Sequence, residues 1–204
     1  MNKNETLFNE MEQAYMECGE HCRRVADLVQ AFCNFLNIDK DTTGDIHTAA
    51  LFHDIGKLSV PETICEKPSS LSPDEWALME QHAYFSAAYL KGRGFPETVC
   101  GIALHHHERW DGHGYAYQLK GKEIPYGSRI IAICDSYDAM TSPRCYHNPI
   151  SEEDALVEIR CNSGKMYDPE LVDKFLEFMG THISILTRKR KVTQEEHYVY
   201  CKEN

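Results

Sequence analysis

An all-α fold is what this sequence predicts, and three observations carry that reading. Apolar residues recur at spacings of three and four through much of the chain, as at Val25, Leu28, Val29, Phe32 and Leu36. Helix-start signals stand at Ser72-Pro73-Asp74-Glu75 and at Asp168-Pro169-Glu170. No strand pair and no internal repeat is signalled. The 204 residues suffice for one domain with a sizeable core, expected over residues 1–180, followed by a tail over 181–204.

Taken in order, residues 6–36 read as one long helix or two in sequence. Thr43 is placed to cap a helix running to about Phe52, with Gly56 ending it. Ser72, Pro73 and Glu75 form a capping box, and that helix runs to about Lys91, where Gly92-Arg93-Gly94 stops it. Another spans Glu97 to about His106. Glu108 to Tyr126 is a loop, punctuated by Asp111, Gly112, Gly114, Gly121 and Pro125. Ser128–Met140 is apolar and helical, Ser151 opens a further helix, and Asp168 opens the last, ending near Gly180. In the tail, Ile183, Ile185 and Leu186 precede Arg188-Lys189-Arg190-Lys191, a run that reads as a solvated patch.

Composition narrows the function. Hydrophobic residues make up 42% and charged residues 26%, a globular mix. No apolar run approaches the ~20 residues that cross a bilayer, and the N-terminus lacks a signal peptide's apolar core, so a cytoplasmic protein off the membrane is expected. Nine cysteines are scattered with no Cys-x-x-Cys pair, and most read as small buried hydrophobes of a reducing compartment. A formal net charge of −11 argues against nucleic-acid polymers as partners. Acids and histidines clustered around divalent cations would nonetheless make a local pocket that attracts phosphate.

The histidines carry the chemistry. His53-Asp54 sits at a helix end, where neighbouring side chains can hold one ion and bridge to a second. Lys57 lies one turn on, placed to meet an anion. His106-His107 repeats the adjacency at another helix end, and His82 adds one ring from mid-helix. Asp135 stands among Ile131, Ile133 and Cys134, a costly place for a carboxylate without a partner or a cation. Glu17 and His21 are four apart and share one helix face. Singly, each except His53-Asp54 has an ordinary reading as a core or surface residue. Together, an oxygen-plus-imidazole set in this order favours a multinuclear site for iron, manganese or a similar divalent metal.

At these residues the chain resembles a known family. His53-Asp54-Ile55-Gly56-Lys57 is similar to the signature of the HD phosphohydrolases. His106-His107-Glu108-Arg109-Trp110-Asp111-Gly112-His113-Gly114-Tyr115 resembles the HD-GYP subgroup. The likeness continues through Leu119–Pro125, Arg129–Ala132 and Asp135–Ser142 and covers about residues 15–178. It implies a compact bundle of about seven helices around two or three metal ions, and hydrolysis of cyclic di-GMP to pGpG or GMP. By position it implies His21, His53, Asp54, His82, His106, His107 and Asp135 as metal ligands, with Glu17 for a third ion. Lys57, Asp138, Arg144 and His147 are implied near the substrate phosphates, and Tyr115 is implied as a further substrate-binding residue. His105-His106 is the alternative ligand pair; Glu108-Arg109-Trp110 sets the frame at His106-His107. Two departures stand out: Ala116 where the subgroup has proline, and His147 where many members carry lysine. Alanine leaves that loop freer than proline would.

The resemblance implies a mechanism in which two ions about 3.5–4 Å apart share a water and make it a hydroxide near neutral pH. That hydroxide would attack phosphorus in line with the departing 3′-oxygen, with Asp54 and Lys57 as the catalytic side chains. Three rival readings remain: a metal-bound cyclic-dinucleotide receptor with slow turnover that signals to a separate regulatory partner, a hydrolase of another nucleotide, and, last, a scaffold.

Overall fold

The computed structural model describes residues 6–8, 11, 16–67, 69–143 and 149–180, excluding the side chains of residues 16 and 17. The tail beyond Thr181, with its basic run, lies outside the described residues, as do Arg144, His147 and the Glu17 side chain. Whether residues 6–36 form one helix or two also falls there. Among the described residues no strand forms, and nine α-helices appear. They are α1 (Met16–Phe35), α2 (Lys40–Leu51), α3 (Glu62–Cys65), α4 (Pro73–Met79), α5 (Gln81–Gly92), α6 (Glu97–Leu104), α7 (Tyr126–Thr141), α8 (Glu152–Cys161) and α9 (Pro169–Phe178). The excess over about seven comes from the short α3 and from a break at Glu80 that divides one expected helix into α4 and α5.

Local signals explain most boundaries. Ser72 caps α4 through the expected capping box, its hydroxyl accepting from the Glu75 amide at 3.3 Å while the Glu75 carboxylate accepts from the Ser72 amide at 2.7 Å. Ser151 and Asp168 cap α8 and α9 as their sequences predict. The α2 cap differs. Asp39, not Thr43, holds the helix start, its carboxylate accepting from the Asp41 and Thr42 amides at 3.1 and 3.0 Å. Asp39 has the extended backbone of a cap, whereas Thr43 is buried inside the first turns. Helix α2 stops at Leu51, and a 3₁₀ turn over Ile55–Ser59 carries the chain onward.

The core gathers where α1, α2, α7 and α9 meet. Phe32 of α1 is fully buried and meets Phe175 of α9 edge-on, ring centroids 5.2 Å apart. Val25 and Val29 of α1, Ile46 and Ala49 of α2, and Ile130 and Ile133 of α7 are buried in the same cluster. Full burial of each larger apolar side chain contributes about 1.5–3 kcal/mol. Helix α7 is buried on nearly every side from Gly127 to Met140, unlike a surface helix with one buried stripe. It therefore runs through the centre of the bundle, and its two buried carboxylates, Asp135 and Asp138, have to be accommodated there.

One glycine sets the distance between two site-bearing elements. A Cβ on Gly56 would lie 2.0 Å from the His82 carbonyl oxygen and 2.5 Å from the Ser86 amide. Glycine is what lets the 3₁₀ turn lie directly against α5. Ser86 seals the contact: it is fully buried, donates to the His53 carbonyl at 2.6 Å and accepts from the Gly56 amide at 2.8 Å.

Candidate metal centre

Three histidines share one local device. Nδ1 of His53 lies 2.7 Å from the Ala50 carbonyl, Nδ1 of His82 lies 2.7 Å from the Met79 carbonyl, and Nδ1 of His106 lies 2.7 Å from the Ala103 carbonyl. Each ring is tied to the carbonyl three residues earlier. A carbonyl oxygen only accepts, so each Nδ1 carries the hydrogen, and each Nε2 is left with a bare lone pair. Two of the rings follow helix C-termini, where carbonyls lack intrahelical partners. The third uses the carbonyl at the α4–α5 break.

Those lone pairs converge on Asp54. His82 Nε2 is 3.2 Å from Asp54 Oδ1 and 3.4 Å from His106 Nε2. His106 Nε2 is 4.0 Å from Asp54 Oδ1. On the other side, His53 Nε2 is 3.5 Å from Asp54 Oδ2 and 3.8 Å from Asp135 Oδ1. His53 Nε2 and Asp54 Oδ1 are both buried without a hydrogen-bond partner. Acceptors facing acceptors in a buried site repel unless a cation lies between them. Asp54 joins two histidine-bearing ligand groups, one with His82, His106 and His107 and one with His21 and His53; within each, the ligand atoms lie within 4.8 Å of one another. A carboxylate shared in that way is suited to bridging two ions. The residues present therefore fit divalent metals.

The electrostatics agree. Burial opposes charge on Asp54, but Lys57 and the surrounding rings outweigh it and hold the carboxyl well below its usual range. Asp135 is likewise held low against its burial, chiefly by His21. Burial pushes His82 down to about 4 and His106 to about 3, and takes His107 well below its ordinary value. Neutral imidazoles beside ionised carboxylates are the protonation states that metal binding requires.

A second layer stands behind His21. Its Nε2 is 2.9 Å from Asp135 Oδ1 and its Nδ1 is 2.7 Å from Asp138 Oδ2. Arg24 donates to both Asp138 oxygens, at 2.8 and 3.0 Å, and the Ser142 hydroxyl donates to Oδ1 at 3.0 Å. Burial opposes the Asp138 charge, yet His21 and Arg24 bring its pKa to about 2. The Asp138 oxygens are thus engaged with protein groups on α1 and α7. Lys57 donates to Asp54 Oδ2 at 2.7 Å, and its side chain keeps 26% exposure.

Seven of the expected residues, His21, His53, Asp54, His82, His106, His107 and Asp135, come together from α1, α5, α7 and two helix ends. The Tyr115 ring lies 4.8 Å from that of His107. His105 turns elsewhere, its ring 5.4 Å from Tyr117 and its Nδ1 3.5 Å from Glu108. A cavity of about 180 Å³ opens beside the cluster, lined by Trp76, Glu80, His106, His107, Tyr115 and Asp135 among others.

Five contributors went unread in the sequence. Glu108 is buried, and its two oxygens accept from the Tyr117 and Leu119 amides at 2.6 and 3.0 Å. The Tyr115 loop is therefore tied down by a carboxylate where proline is absent. Arg24 was findable, lying three residues beyond His21 on the same face. Trp76 and Glu80 are four apart, and the indole donates to the carboxylate at 2.7 Å. Ser86 gave no sequence signal.

The helices and this buried histidine–aspartate cluster, whose residues fit a metal centre, define a domain of the HD class. Residues 5–171 match the family model described as HD domain, and the chain belongs to that family. It is 40% identical over 184 residues to a cyclic di-GMP phosphodiesterase of Thermotoga maritima, covering 89% of this chain and 50% of the relative. It is 34% identical over 181 residues to the 3′3′-cGAMP-specific phosphodiesterase 2 of Vibrio cholerae, covering 88% of this chain and 35% of the relative. The chain thus spans half or less of the length of these curated relatives. An HDG"Y"P protein from Bdellovibrio bacteriovorus shares the fold at a TM-score of 0.65 and 19% identity, over 80% of this chain and 52% of that one. No helix among the described residues is long and apolar enough to cross a membrane.

Proposed function

We propose that this domain is a metal-dependent phosphodiesterase that hydrolyses a cyclic dinucleotide, cyclic di-GMP above others, to pGpG or GMP. The observation that carries the reading is the convergence of three carbonyl-anchored imidazole lone pairs on the Asp54 carboxylate, those of His82 and His106 on its unpartnered Oδ1 and that of His53 on Oδ2. The relatives named for cyclic di-GMP and 3′3′-cGAMP support the substrate class.

His53, His82, His106 and His107 would hold two ions together with Asp54, and His21 with Asp135 would complete the ligand set. Glu17 serves a third. Iron or manganese suits this mixture of nitrogen and oxygen ligands. When bound, the metals supply Lewis acidity and an activated water. The chain's own residues do the rest. Lys57 leans on Asp54 and meets the phosphoryl oxygens where charge builds. Asp138 orients His21 and reaches the substrate phosphates through Arg24. Tyr115 offers a ring face beside His107, and Arg144 and His147 grip phosphate. Hydrolysis of one linkage consumes one water and leaves a free 3′-hydroxyl and a 5′-phosphate. The catalytic unit is residues 1–180, cytoplasmic, with residues 181–204 as a tail; its partner is the cyclic dinucleotide, and its regulation comes from substrate supply, metal state or a separate protein.

The test is anaerobic purification, metal analysis and a chromatographic assay against a panel of cyclic dinucleotides. The parent should give linear product and Asp54→Ala none, with its metal lost and its helical content kept. Binding without cleavage by the metal-loaded parent would replace the enzyme reading with a receptor.

A further inference from the structure

Cys18 and Cys22 stand four apart on α1, on the helix face that also carries His21. Both are buried and both are free thiols. Their sulfur atoms and a carboxylate oxygen of Asp54 lie within 4.8 Å of one another. The metal centre described above uses neither thiol. Two sulfurs and one oxygen make a donor set unlike the nitrogen-and-oxygen set beside it. Thiolates select soft cations such as cadmium, zinc or copper(I) over manganese or magnesium. Sulfur–metal bonds of about 2.3 Å need the two sulfurs roughly 3.8 Å apart, a closure that small side-chain rotations supply.

We propose that Cys18, Cys22 and Asp54 form a second site, one that takes a thiophilic divalent cation and draws the bridging carboxylate away from the histidine-held ions. On binding, each thiol releases its proton to solvent, and the two sulfurs and one carboxylate oxygen become ligands. Three protein ligands leave one coordination position open. Occupation of this site competes with the histidine centre because Asp54 is common to both. The site rests on the thiol pair alone; its inhibitory consequence rests on the phosphodiesterase reading.

The experiment uses the full chain with Cys65 and Cys161, which are not buried, and Cys145 and Cys201, which lie outside the described residues, changed to Ser, so that these thiols do not report. Cadmium titration should produce the ultraviolet thiolate-to-metal charge-transfer band, saturating near one equivalent. Adding Cys18→Ser and Cys22→Ser should abolish the band while circular dichroism stays helical. Should that variant fail to fold, cadmium-edge X-ray absorption on the folded background protein decides, with two sulfur neighbours expected. A band that persists in the Cys18→Ser/Cys22→Ser protein, or a shell of nitrogen and oxygen only, overturns the site. Hydrolysis assays on the same preparations separate the two readings. Cadmium bound by the pair in a protein that cleaves no cyclic dinucleotide leaves the site standing and removes the proposed function. Cleavage without the band removes the site alone.

Discussion

Ser86→Ala isolates how the His53-Asp54 corner is held against α5. The hydroxyl joins the His53 carbonyl and the Gly56 amide, at 2.6 and 2.8 Å, in a fully buried position. Alanine fills nearly the same space but leaves both backbone groups stranded. A buried polar group that loses its partner costs about 1–3 kcal/mol, so the pair should cost roughly 2–6 kcal/mol. An unfolding entropy of about 2.1 cal/mol/K per residue, taken over 204 residues, converts that to a fall of roughly 5–14 °C in Tm. Thermal melts of the chelator-stripped protein measure this without the contribution of bound metal. Ser128→Ala is the control. Its hydroxyl is also buried, but the Ile102 carbonyl it serves at 2.8 Å keeps the His105 amide at 3.3 Å, so the loss should be much smaller. Metal affinity of Ser86→Ala should fall as well, by roughly 10–100-fold, as for groups that orient ligands. A stripped Ser86→Ala protein that melts with the parent, or no lower than Ser128→Ala, refutes the reasoning.

Glu108→Ala should strand two loop amides, lower stability by about 1–3 kcal/mol and speed proteolytic cleavage within residues 109–120; an unchanged digestion pattern would show that Tyr115 is placed by other contacts. Asp138→Asn removes the charge that faces His21 and Arg24 and should weaken metal binding roughly 10–100-fold in chelator competition, with unaltered affinity counting against an orienting role. In the metal-free protein, burial places His82 near 4 and His106 near 3, below the 6.5 of an unperturbed imidazole. The unfolded chain then takes up protons that the folded one refuses, so stability should drop as pH falls from about 6.5 toward 4, by up to about 1.4 kcal/mol per pH unit and group. A melting temperature that is flat or rising across that range would be inconsistent with these rings being buried and neutral.

Much of this arrangement was legible in the chain. Helix positions followed from apolar spacing and from side chains that start helices, as Ser72 and Asp168 show. The centre was legible because its residue types are expensive elsewhere: a carboxylate among isoleucines at Asp135, and a histidine beside an aspartate at a helix end. What escaped was what depends on three-dimensional contact. The α2 start went to Asp39 over Thr43, since the two differ in backbone conformation and not in residue preference. The break at Glu80 lies inside an uninterrupted helical pattern, and the reason to stop there is the Met79 carbonyl's use by the His82 ring. Glu108, Ser86 and the Cys18–Cys22 pair have ordinary sequence surroundings and gain meaning only from their partners.

Anchoring three imidazoles to carbonyls three residues back makes ligand geometry a property of the helix ends. Backbone carbonyls aim those three rings, with Ser86 bracing the His53 corner from a neighbouring helix, so the rest of the surrounding core is free to vary in composition while the donor atoms stay in place. The same economy makes the centre sensitive to local fraying. Opening one turn at the end of α2, at the start of α5 or at the end of α6 would swing a ring away while the bundle remains folded. Metal release on warming should then precede the loss of helical signal, with each helix end acting as a separate latch on the ions.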